Sequence, residues 1–503
     1  MVLLALYYRQ RKTYTYPPGP KGLPVIGNVL DMPRTNPWIA FRDWSRKMDS
    51  PVIGLNMMGM TMVVLNDLNS SVDLLEKRGS VYSNRPRFPM MAEACGLGWA
   101  FPLTNNMEDW KICRRYFDPF FRKAGMMRYR ESQLSMARSL LTRLLDSPER
   151  FVHHIHYVTG SMIIDIAYGI HAQPEGDEFI GIADRALRGI EKCTNMSIID
   201  ILPWVQHIPS WIPGMWWKMK VDTLKSQVLQ MSDVPYEWVK EQLSRGLAKP
   251  CVATDLISRF DDEMIDTSCE HREYIIKSIS GTVYAAGSDT SVSALNTLFL
   301  VMALFPDVQR RAHEEIDRVV GSNRVPELFD QDNLPYITAI VKEILRWAPP
   351  LPLGMPHCAT SAEIYNGYYI PKGATVLANS WAILRDPAAY FNPDDFNPSR
   401  FLTPDGTKID PNVRDPEAVF GFGRRLCPGR FLSLESLWIT TACVLAMFNI
   451  KRKVDDDGVL LPMPEELFTL GIVSHPAPFP CSITPRSEAS VKLIRAVGVT
   501  QDA

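Results

Sequence analysis

One cysteine in a glycine-rich segment carries the strongest chemical signal in the sequence. Cys427 lies in the segment Phe-Gly-Phe-Gly-Arg-Arg-Leu-Cys-Pro-Gly, and an apolar helical pattern follows over residues 431–448. At the entrance of a helix, backbone N–H groups and the positive end of the helix dipole favour a thiolate over a thiol. Gly423 and Gly429 permit close backbone approach on either side of the sulfur, and Arg425 adds a nearby cation. This spacing indicates a soft, electron-donating ligand for a metal such as iron, rather than an inert core thiol.

Two adjacent polar residues, Asp289 and Thr290, interrupt a long apolar helical pattern. An acid and a β-branched hydroxyl residue are both locally unfavourable there, and such a local violation suggests a function. The alternative is that Thr290 bonds back to the preceding turn and kinks the helix close to Gly287.

Two further pairs of residues lie at helical spacing. Glu343 and Arg346 can form an ion pair on one helix face, which by itself more often means a solvated surface bridge worth roughly 1 kcal/mol or less. Trp110 and Arg114 stand one helical turn apart, and alone they would fit an aromatic–arginine stack on a surface helix. Neither pair is specific without the others.

The elements that must position these residues are mainly helical. Apolar residues recur at near-helical spacing from residue 274 to 301, with few breakers before Pro306, which predicts one unusually long helix. Its apolar character on several sides predicts a path through the core. Strand-like runs occur at Met60–Leu65 and Thr375–Asn379, the latter after a Pro-Lys-Gly turn signal. The predicted fold class is mainly α with a small β portion, in one catalytic domain over residues 35–503.

Composition excludes several classes of protein. Lysine plus arginine number 54 against 56 acidic residues, so no whole-protein field favours nucleic acid. Nine cysteines are spread without a C-x-x-C pair, which argues against a disulfide framework and a tetrahedral zinc site. With 503 residues the chain can enclose a cofactor.

Two segments suggest contact with a membrane. The apolar run that opens the chain is shorter than the roughly 20 residues that span a bilayer, so we predict a short anchor remnant over residues 1–16. The proline-rich residues 17–34 would form a semi-rigid hinge. Residues 201–220, termed here the tryptophan loop, join aromatic side chains with basic ones, as segments at a headgroup layer do. Its defining residues are Trp204, Trp211, Trp216, Trp217, Lys218 and Lys220. The alternative is that these tryptophans pack under the loop.

Taken together, the motifs resemble the cytochrome P450 family over nearly the whole chain. The haem-binding signature of that family, F-x-x-G-x-R-x-C-x-G, is met at Phe420, Gly423, Arg425, Cys427 and Gly429. The resemblance implies that Cys427 is the axial thiolate ligand of haem b, and that the long helix crosses a buried haem in the cytochrome P450 fold.

Other motifs carry the same resemblance in the family's order. The segment Ala-Gly-Ser-Asp-Thr-Ser at residues 286–291 is similar to the oxygen-binding motif, which implies that Asp289 and Thr290 are catalytic. A hydroxyl beside bound dioxygen can donate a hydrogen bond to it, and the acid can pass protons inward. Glu343 and Arg346 resemble the E-x-x-R pair, and Arg400 the residue that locks it into a buried charge network.

The resemblance also assigns partners to the haem propionates. Trp110 and Arg114 match the W-x-x-x-R motif, in which both residues face propionates, and His357 lies where the family commonly places another such partner. By family position the substrate pocket is mostly apolar, which suits a small aromatic or terpenoid-like substrate. The predicted pocket residues are Phe88, Val283, Ala286, Leu353, Phe468 and Ile472.

The activity implied by the resemblance is monooxygenation with dioxygen and electrons from NADPH. No G-x-G-x-x-G fingerprint follows a strand, so electrons must come from a separate flavoprotein. Similarity to eukaryotic microsomal members implies NADPH–cytochrome P450 reductase and an endoplasmic reticulum membrane, with the catalytic domain facing the cytosol. The chain is most similar to fungal secondary-metabolism members, such as the tryptamine 4-hydroxylase and O-methylsterigmatocystin oxidoreductase types, although xenobiotic oxidation is also compatible.

Two other functions compete with this interpretation. A haem-thiolate isomerase or dehydratase needs no reductase, but such enzymes commonly lack the acid–hydroxyl pair present here as Asp289 and Thr290. A non-enzymatic haem sensor would need neither that pair nor a substrate pocket. Consumption of NADPH with insertion of oxygen separates the three.

Overall fold

The structure is a computed structural model that describes residues 14–194, 198–213, 215, 217–262 and 268–499. It divides into two compact units, called here the first and the second unit. The first unit comprises Met1–Arg87, Pro352–Asp386 and Glu417–Leu426, and the second comprises Phe88–Leu351, Pro387–Pro416 and Cys427–Ala503.

Helices dominate the described residues, as the sequence predicts. The α-helices are α1 (Pro37–Lys47), α2 (Leu68–Ser71), α3 (Gly79–Tyr82), α4 (Met107–Phe121), α5 (Arg130–Asp146), α6 (Phe151–Tyr168), α7 (Glu178–Thr194), α8 (Ile198–Ile201), α9 (Trp217–Ser244), α10 (Val252–Asp262), α11 (Cys269–Leu304), α12 (Pro306–Val319), α13 (Pro335–Trp347), α14 (Ser380–Ile383), α15 (Arg430–Met447) and α16 (Glu488–Val499).

The strands are few and short. They are β1 (Val52–Met57), β2 (Met60–Leu65), β3 (His357–Cys358), β4 (Glu363–Tyr365), β5 (Tyr368–Ile370), β6 (Thr375–Ala378), β7 (Phe448–Arg452) and β8 (Cys481–Pro485). The strand predicted over Met60–Leu65 has those bounds, and the one predicted over residues 375–379 ends one residue earlier.

The first unit is built on a four-stranded sheet in the order β1-β2-β6-β3. β2 runs parallel to β6 and the other neighbours are antiparallel, so His357 on β3 lies opposite Val376 in the middle of β6. Apolar side chains cover both faces of the sheet in two buried clusters. The proline-rich segment follows the edge of β1, where the amide of Gly54 donates to the Pro18 carbonyl at 2.9 Å.

The second unit is organised around α11, whose 36 residues confirm the predicted long helix. The Ser268 side chain caps its first turn by accepting from the His271 amide at 3.3 Å, and Pro306 ends it because the residue before a proline is driven out of helical geometry. Helices α6, α9 and α15 pack against it. Most of α11 is buried on all sides, which confirms the predicted path through the core.

One helix in the described part of the chain, α15, is long and apolar enough to cross a membrane by length and composition. Its membrane-like window is 72% buried inside the protein. α11 and α12 pass the same test only as a pair that is bent by 104°.

Candidate active site

Cys427 lies three residues before the start of α15, in the second unit. Burial raises the pKa of its thiol most strongly, whereas the backbone N–H of Gly429 and the positive charges of Arg114 and Arg430 lower that pKa. The protein alone therefore leaves the sulfur protonated, but it has arranged donors and cations that favour negative charge there. A positive metal centre bound to the sulfur would displace the proton and complete this arrangement.

The donor set at this sulfur fits a haem iron. No group of three or more His, Cys, Asp or Glu side chains is placed to hold a metal ion among the described residues. A haem would require only this one sulfur as a ligand from the chain.

The glycines of the signature serve two different needs. Gly423 has a φ of +58°, and a Cβ there would lie 2.2 Å from the carbonyl oxygen of Leu75, so only glycine fits against that backbone. A Cβ at Gly429 would meet no atom within 4 Å, so packing inside the protein does not require a glycine there. The open space beside Gly429 would accommodate a flat cofactor against the backbone.

Three basic side chains gather in the first unit around the backbone of residues 82–85. Arg425 donates from Nε to the Ser83 carbonyl at 2.8 Å, and His357 bonds through Nδ1 to the Tyr82 carbonyl at 2.7 Å. Arg85 donates from Nη1 to two carbonyls, those of Met355 at 3.0 Å and Pro356 at 2.7 Å.

The charges of Arg85 and Arg425 repel each other, and His357 is neutral beside them. Burial and the charge of Arg425 lower the pKa of Arg85 to about 9, and burial together with both arginines lowers the pKa of His357 to about 3. Buried like charges cost free energy that an anion would recover, so the cluster fits carboxylates such as haem propionates. Arg85 could not be predicted from the sequence. Its Asn-Arg-Pro-Arg context belongs to none of the family motifs described above, and only the fold brings it to His357.

The second predicted propionate pair lies on α4. Trp110 is buried, and Arg114 Nε lies 2.8 Å from Asp118 Oδ1 one turn along the helix. Arg114 also acts electrostatically on the Cys427 sulfur, so the structure brings this residue to the cysteine.

Asp289 and Thr290 lie in the part of α11 that other residues do not fully bury. Apart from Lys277, the helix is buried from Ile275 to Tyr284 and again from Val292 to Ala303, but residues 285–287 and 289–291 are partly or fully accessible. An accessible alanine, Ala286, in the middle of a core helix borders space that protein atoms do not fill.

Thr290 donates from Oγ1 to the Ala286 carbonyl at 2.8 Å, which is the back-bond of the competing interpretation. The bond does not distinguish a catalytic Thr290 from a helix-kinking one. Three other residues of the same helix, Ser280, Ser288 and Thr297, make the same bond at 2.8–2.9 Å. Asp289 Oδ1 lies 3.2 Å from His475 Nε2, a partner that sequence reasoning missed.

The structure brings Glu343, Arg346 and Arg400 together. Arg346 binds both carboxylate oxygens of Glu343, at 2.7 and 2.8 Å, and Arg400 Nε lies 3.1 Å from Oε1. The exposed fraction is 0% for the side chains of Glu343 and Arg346 and 7% for Arg400. The two arginines also donate to backbone carbonyls of residues 391–395, so the network fixes that loop.

The predicted pocket residues are less uniform. Val283 is buried, Phe88 is half-buried, and Phe468 contacts the ring of Trp347 with a centroid distance of 5.7 Å. Ile472 is exposed, and Leu353 packs against the core of the first unit. A polar surface cavity of about 320 Å³ in the second unit has none of these residues in its walls.

Comparison with known proteins places the chain. Residues 17–480 match the cytochrome P450 family. The chain is 38% identical over 503 residues to a cytochrome P450 monooxygenase of Armillaria gallica, covering 98% of this chain and 97% of that one. It is 39% identical over 500 residues to the tryptamine 4-monooxygenase of Psilocybe cyanescens, with 97% of each chain covered, and 36% identical over 506 residues to the monooxygenase claR of Ampulloclitocybe clavipes, with 99% and 91% covered.

The chain therefore belongs to the cytochrome P450 family. It is a haem-dependent monooxygenase of the fungal secondary-metabolism type, an oxidoreductase. The predicted fold class, family and activity are confirmed, and the isomerase and sensor alternatives are not favoured.

Proposed function

We propose that this monooxygenase inserts one oxygen atom into a small apolar substrate, aromatic or terpenoid-like, with electrons passed from NADPH by a separate cytochrome P450 reductase. The observation that carries the proposal is the accessibility of α11 at residues 285–287 and 289–291, where an otherwise buried apolar helix is exposed beside Asp289 and Thr290. A small apolar wall with a few polar groups is the usual form of a site for such ligands.

Within the second unit, the haem would take its axial sulfur from Cys427, and Trp110 and Arg114 are the candidate propionate partners. Within the first unit, Arg85, Arg425 and His357 form a basic cluster whose charge suits carboxylates such as propionates. When bound, a thiolate-ligated haem supplies dioxygen activation and favours cleavage of the O–O bond. The chain supplies the surroundings: Gly429 leaves room for the cofactor, and its N–H stabilises the sulfur.

Asp289 and Thr290 would deliver protons to bound dioxygen. The Thr290 hydroxyl can leave its bond to the Ala286 carbonyl and donate towards dioxygen, as a hydroxyl needs only a rotation of χ1 to change partner. Asp289 would pass protons to the neighbourhood of Thr290.

A substrate panel tests the proposal. Purified holoprotein is titrated with tryptamine, other small aromatics and terpenoids, and the Soret band is followed for the shift that accompanies displacement of water from iron. Compounds that bind are then incubated with reductase and NADPH, and oxygenated products are measured by mass spectrometry. The proposal predicts a product that depends on NADPH and reductase. Product without reductase would favour the isomerase or dehydratase function, and binding without any product would favour the sensor.

We also propose that the protein works at the endoplasmic reticulum membrane, facing the cytosol. Trp204 and Trp211 of the tryptophan loop are 61% and 81% exposed, which supports contact with a headgroup layer. Lys218 supports the loop from within, since its Nζ donates to the Gln206 and Ile208 carbonyls at 2.6 Å. Trp216 and residues 1–13 of the predicted anchor lie outside the described residues.

Fractionation of cell membranes tests this location. Deletion of residues 1–12 should weaken membrane association without abolishing it, because the loop remains. Adding Trp204→Ser and Trp211→Ser should then release the protein. Complete release by the deletion alone would contradict a role for the loop.

A further inference from the structure

Titratable side chains in the second unit form an outer group at a surface cavity and an inner pair at Asp289. The outer group lines the cavity of about 320 Å³ between α6 and α7. The cavity walls are Glu149, Arg150, Val152, His153, His156, Asp184 and Arg188. Several of these residues are exposed to solvent, so the cavity gives water access to His156 and Asp184.

The inner pair consists of His475 and Asp289. His475 Nε2 lies 3.2 Å from Asp289 Oδ1, and the side chains are only 18% and 24% exposed. The next residue along α11 is Thr290, whose proposed task is to donate a hydrogen bond to dioxygen. His475 therefore contacts the residue that is adjacent in sequence to Thr290.

The fold holds His475 in this place by its backbone. Its amide donates to Thr469 Oγ1 at 3.1 Å, and its carbonyl accepts from the Thr469 amide at 2.7 Å, which closes a tight loop. Ser293, one turn beyond Asp289 on α11, donates from Oγ to the carbonyl of Ser474 at 2.5 Å. The helix that carries the acid thus also fixes the imidazole.

His156 belongs to the outer group and is coupled electrostatically to the inner pair. Its Nδ1 lies 4.0 Å from Asp184 Oδ1, on the cavity side. Burial lowers the pKa of His156 most strongly, Asp184 and Asp289 raise it, and His475 and Arg188 lower it. The groups that shift the pKa of His156 therefore come from α7, from α11 and from the loop at residue 475. The charges of both the cavity and the inner pair affect this imidazole.

We propose that His475 is the proton donor to Asp289, and that His156 and Asp184 return protons to His475 from the cavity. The proposal rests on the proposed proton delivery by Asp289 and Thr290. Protonated His475 gives its proton to the Asp289 carboxylate and becomes neutral, and it is recharged from the cavity side, so each step moves one proton and no electrons. Imidazole suits this task because it changes charge near neutral pH.

The competing role is purely structural, in which His475 only anchors its loop and Asp289 takes protons directly from solvent. His475→Gln separates the two roles. Glutamine keeps the length and an N–H group, and the loop bonds come from backbone atoms, but the amide cannot carry a proton. His271→Gln is a matched control, since His271 Nε2 lies 3.3 Å from Asp109 Oδ1 at the start of the same helix, remote from Thr290 in sequence.

Three measurements are made on each holoprotein with reductase, NADPH and a binding substrate: turnover, its solvent deuterium isotope effect, and the ferrous carbon monoxide spectrum. We expect His475→Gln to lower turnover about tenfold with a larger isotope effect, because general acid–base steps contribute at least that much. Its carbon monoxide spectrum should equal that of wild type, and His271→Gln should stay within about twofold in turnover.

A readout independent of turnover tests the contact itself. The ferrous carbon monoxide form is labelled with ¹⁵N-histidine and its NMR spectrum is recorded. Only the nine histidine side chains give signals, and the signal missing in the His475→Gln variant belongs to His475. Asp289→Asn should shift the signals of His475 and His156 and leave that of His271 in place. Unmoved signals would overturn the contact.

The outcomes also separate this proposal from the one on which it rests. Wild-type turnover and isotope effect in His475→Gln, with slow turnover in Asp289→Asn, would overturn the relay and leave the role of Asp289 standing. Wild-type turnover in Asp289→Asn would overturn the proton-delivery role of Asp289 and the relay with it.

Discussion

Two charged networks of the second unit differ in how completely the protein pairs them. In the network of Glu343, Arg346 and Arg400, the carboxylate accepts from both arginines and from the Asn397 amide at 2.7 Å, and the side chains are almost wholly buried. In the network of Asp289 and His475, the described residues place a single imidazole at 3.2 Å from the carboxylate, and both side chains remain partly accessible.

The difference shows what each network is suited to do. A saturated buried network cannot take up or release a proton without leaving an uncompensated charge, so it holds structure. A sparsely paired and partly accessible network can change its charge at little cost, so it can move protons. Removing a member should therefore affect folding in the first network and turnover in the second.

The largest effect is expected from Glu343→Gln. The change keeps the side-chain volume but leaves two buried guanidinium groups facing a neutral amide, so we expect the free energy of unfolding to fall by roughly 3–5 kcal/mol. Urea unfolding and haem content after expression measure this loss.

Glu314→Gln is the matched control. It breaks an exposed pair with Arg310 at 2.9 Å on α12, and because solvent screens that pair, the free energy of unfolding should stay close to that of wild type. Equal losses in the two variants would contradict the structural role of the buried network.

Asp289→Asn should leave folding and haem content intact and slow turnover by at least about tenfold, because the amide cannot pass protons. The rate of NADPH consumption in the reconstituted system measures this. A large loss of stability instead of turnover would place Asp289 with the saturated network.

Thr290→Ala should change the fate of the electrons more than their rate of use. Without the hydroxyl, reduced dioxygen is lost as hydrogen peroxide, so we expect product per NADPH to fall several-fold while consumption continues. Peroxide, product and NADPH are measured in one assay.

Thr297→Ala serves as the control for this variant, since Thr297 makes the same back-bond on the same helix. Unchanged coupling in Thr290→Ala would favour the interpretation of Thr290 as a helix-kinking residue.

The smallest effect concerns pH. Burial lowers the pKa of His156 below its ordinary value of 6.5, so the unfolded chain binds the proton more readily than the folded one. The contribution of neutral His156 to stability is then present above pH 6.5 and is lost as the pH falls below it. Urea unfolding between pH 7.5 and pH 5 should show a shallower decline for His156→Gln than for wild type, and parallel declines would contradict the burial of this imidazole.

Local pattern was sufficient to predict much of this molecule. The long helix α11 follows from apolar periodicity that ends at Pro306, and the cysteine signature follows from residue spacing alone. Glu343 and Arg346 lie within one helical turn, so their pairing was visible in the sequence, whereas the depth of their burial depends on packing.

Residues that join the site only through the fold could not be found in this way. His475 lies far from Asp289 along the chain and stands in a loop without periodicity, and Arg85 reaches His357 only because β3 returns beside residues 82–85. The division into two compact units could not be predicted from the sequence either, because each unit is assembled from segments that are separated along the chain.

The account depends most on the sulfur of Cys427, and the ferrous carbon monoxide spectrum tests it directly. Cys443 on α15, the helix that follows Cys427, is a matched control, because burial raises its pKa to about 12 and its Sγ bonds to the Pro326 carbonyl at 3.4 Å in the core. Cys427→Ser should abolish the red-shifted Soret band, since a hydroxyl is a far poorer electron donor to iron than a thiolate, and Cys443→Ser should retain it. A retained band in Cys427→Ser would contradict the assignment and place the iron ligand at another cysteine.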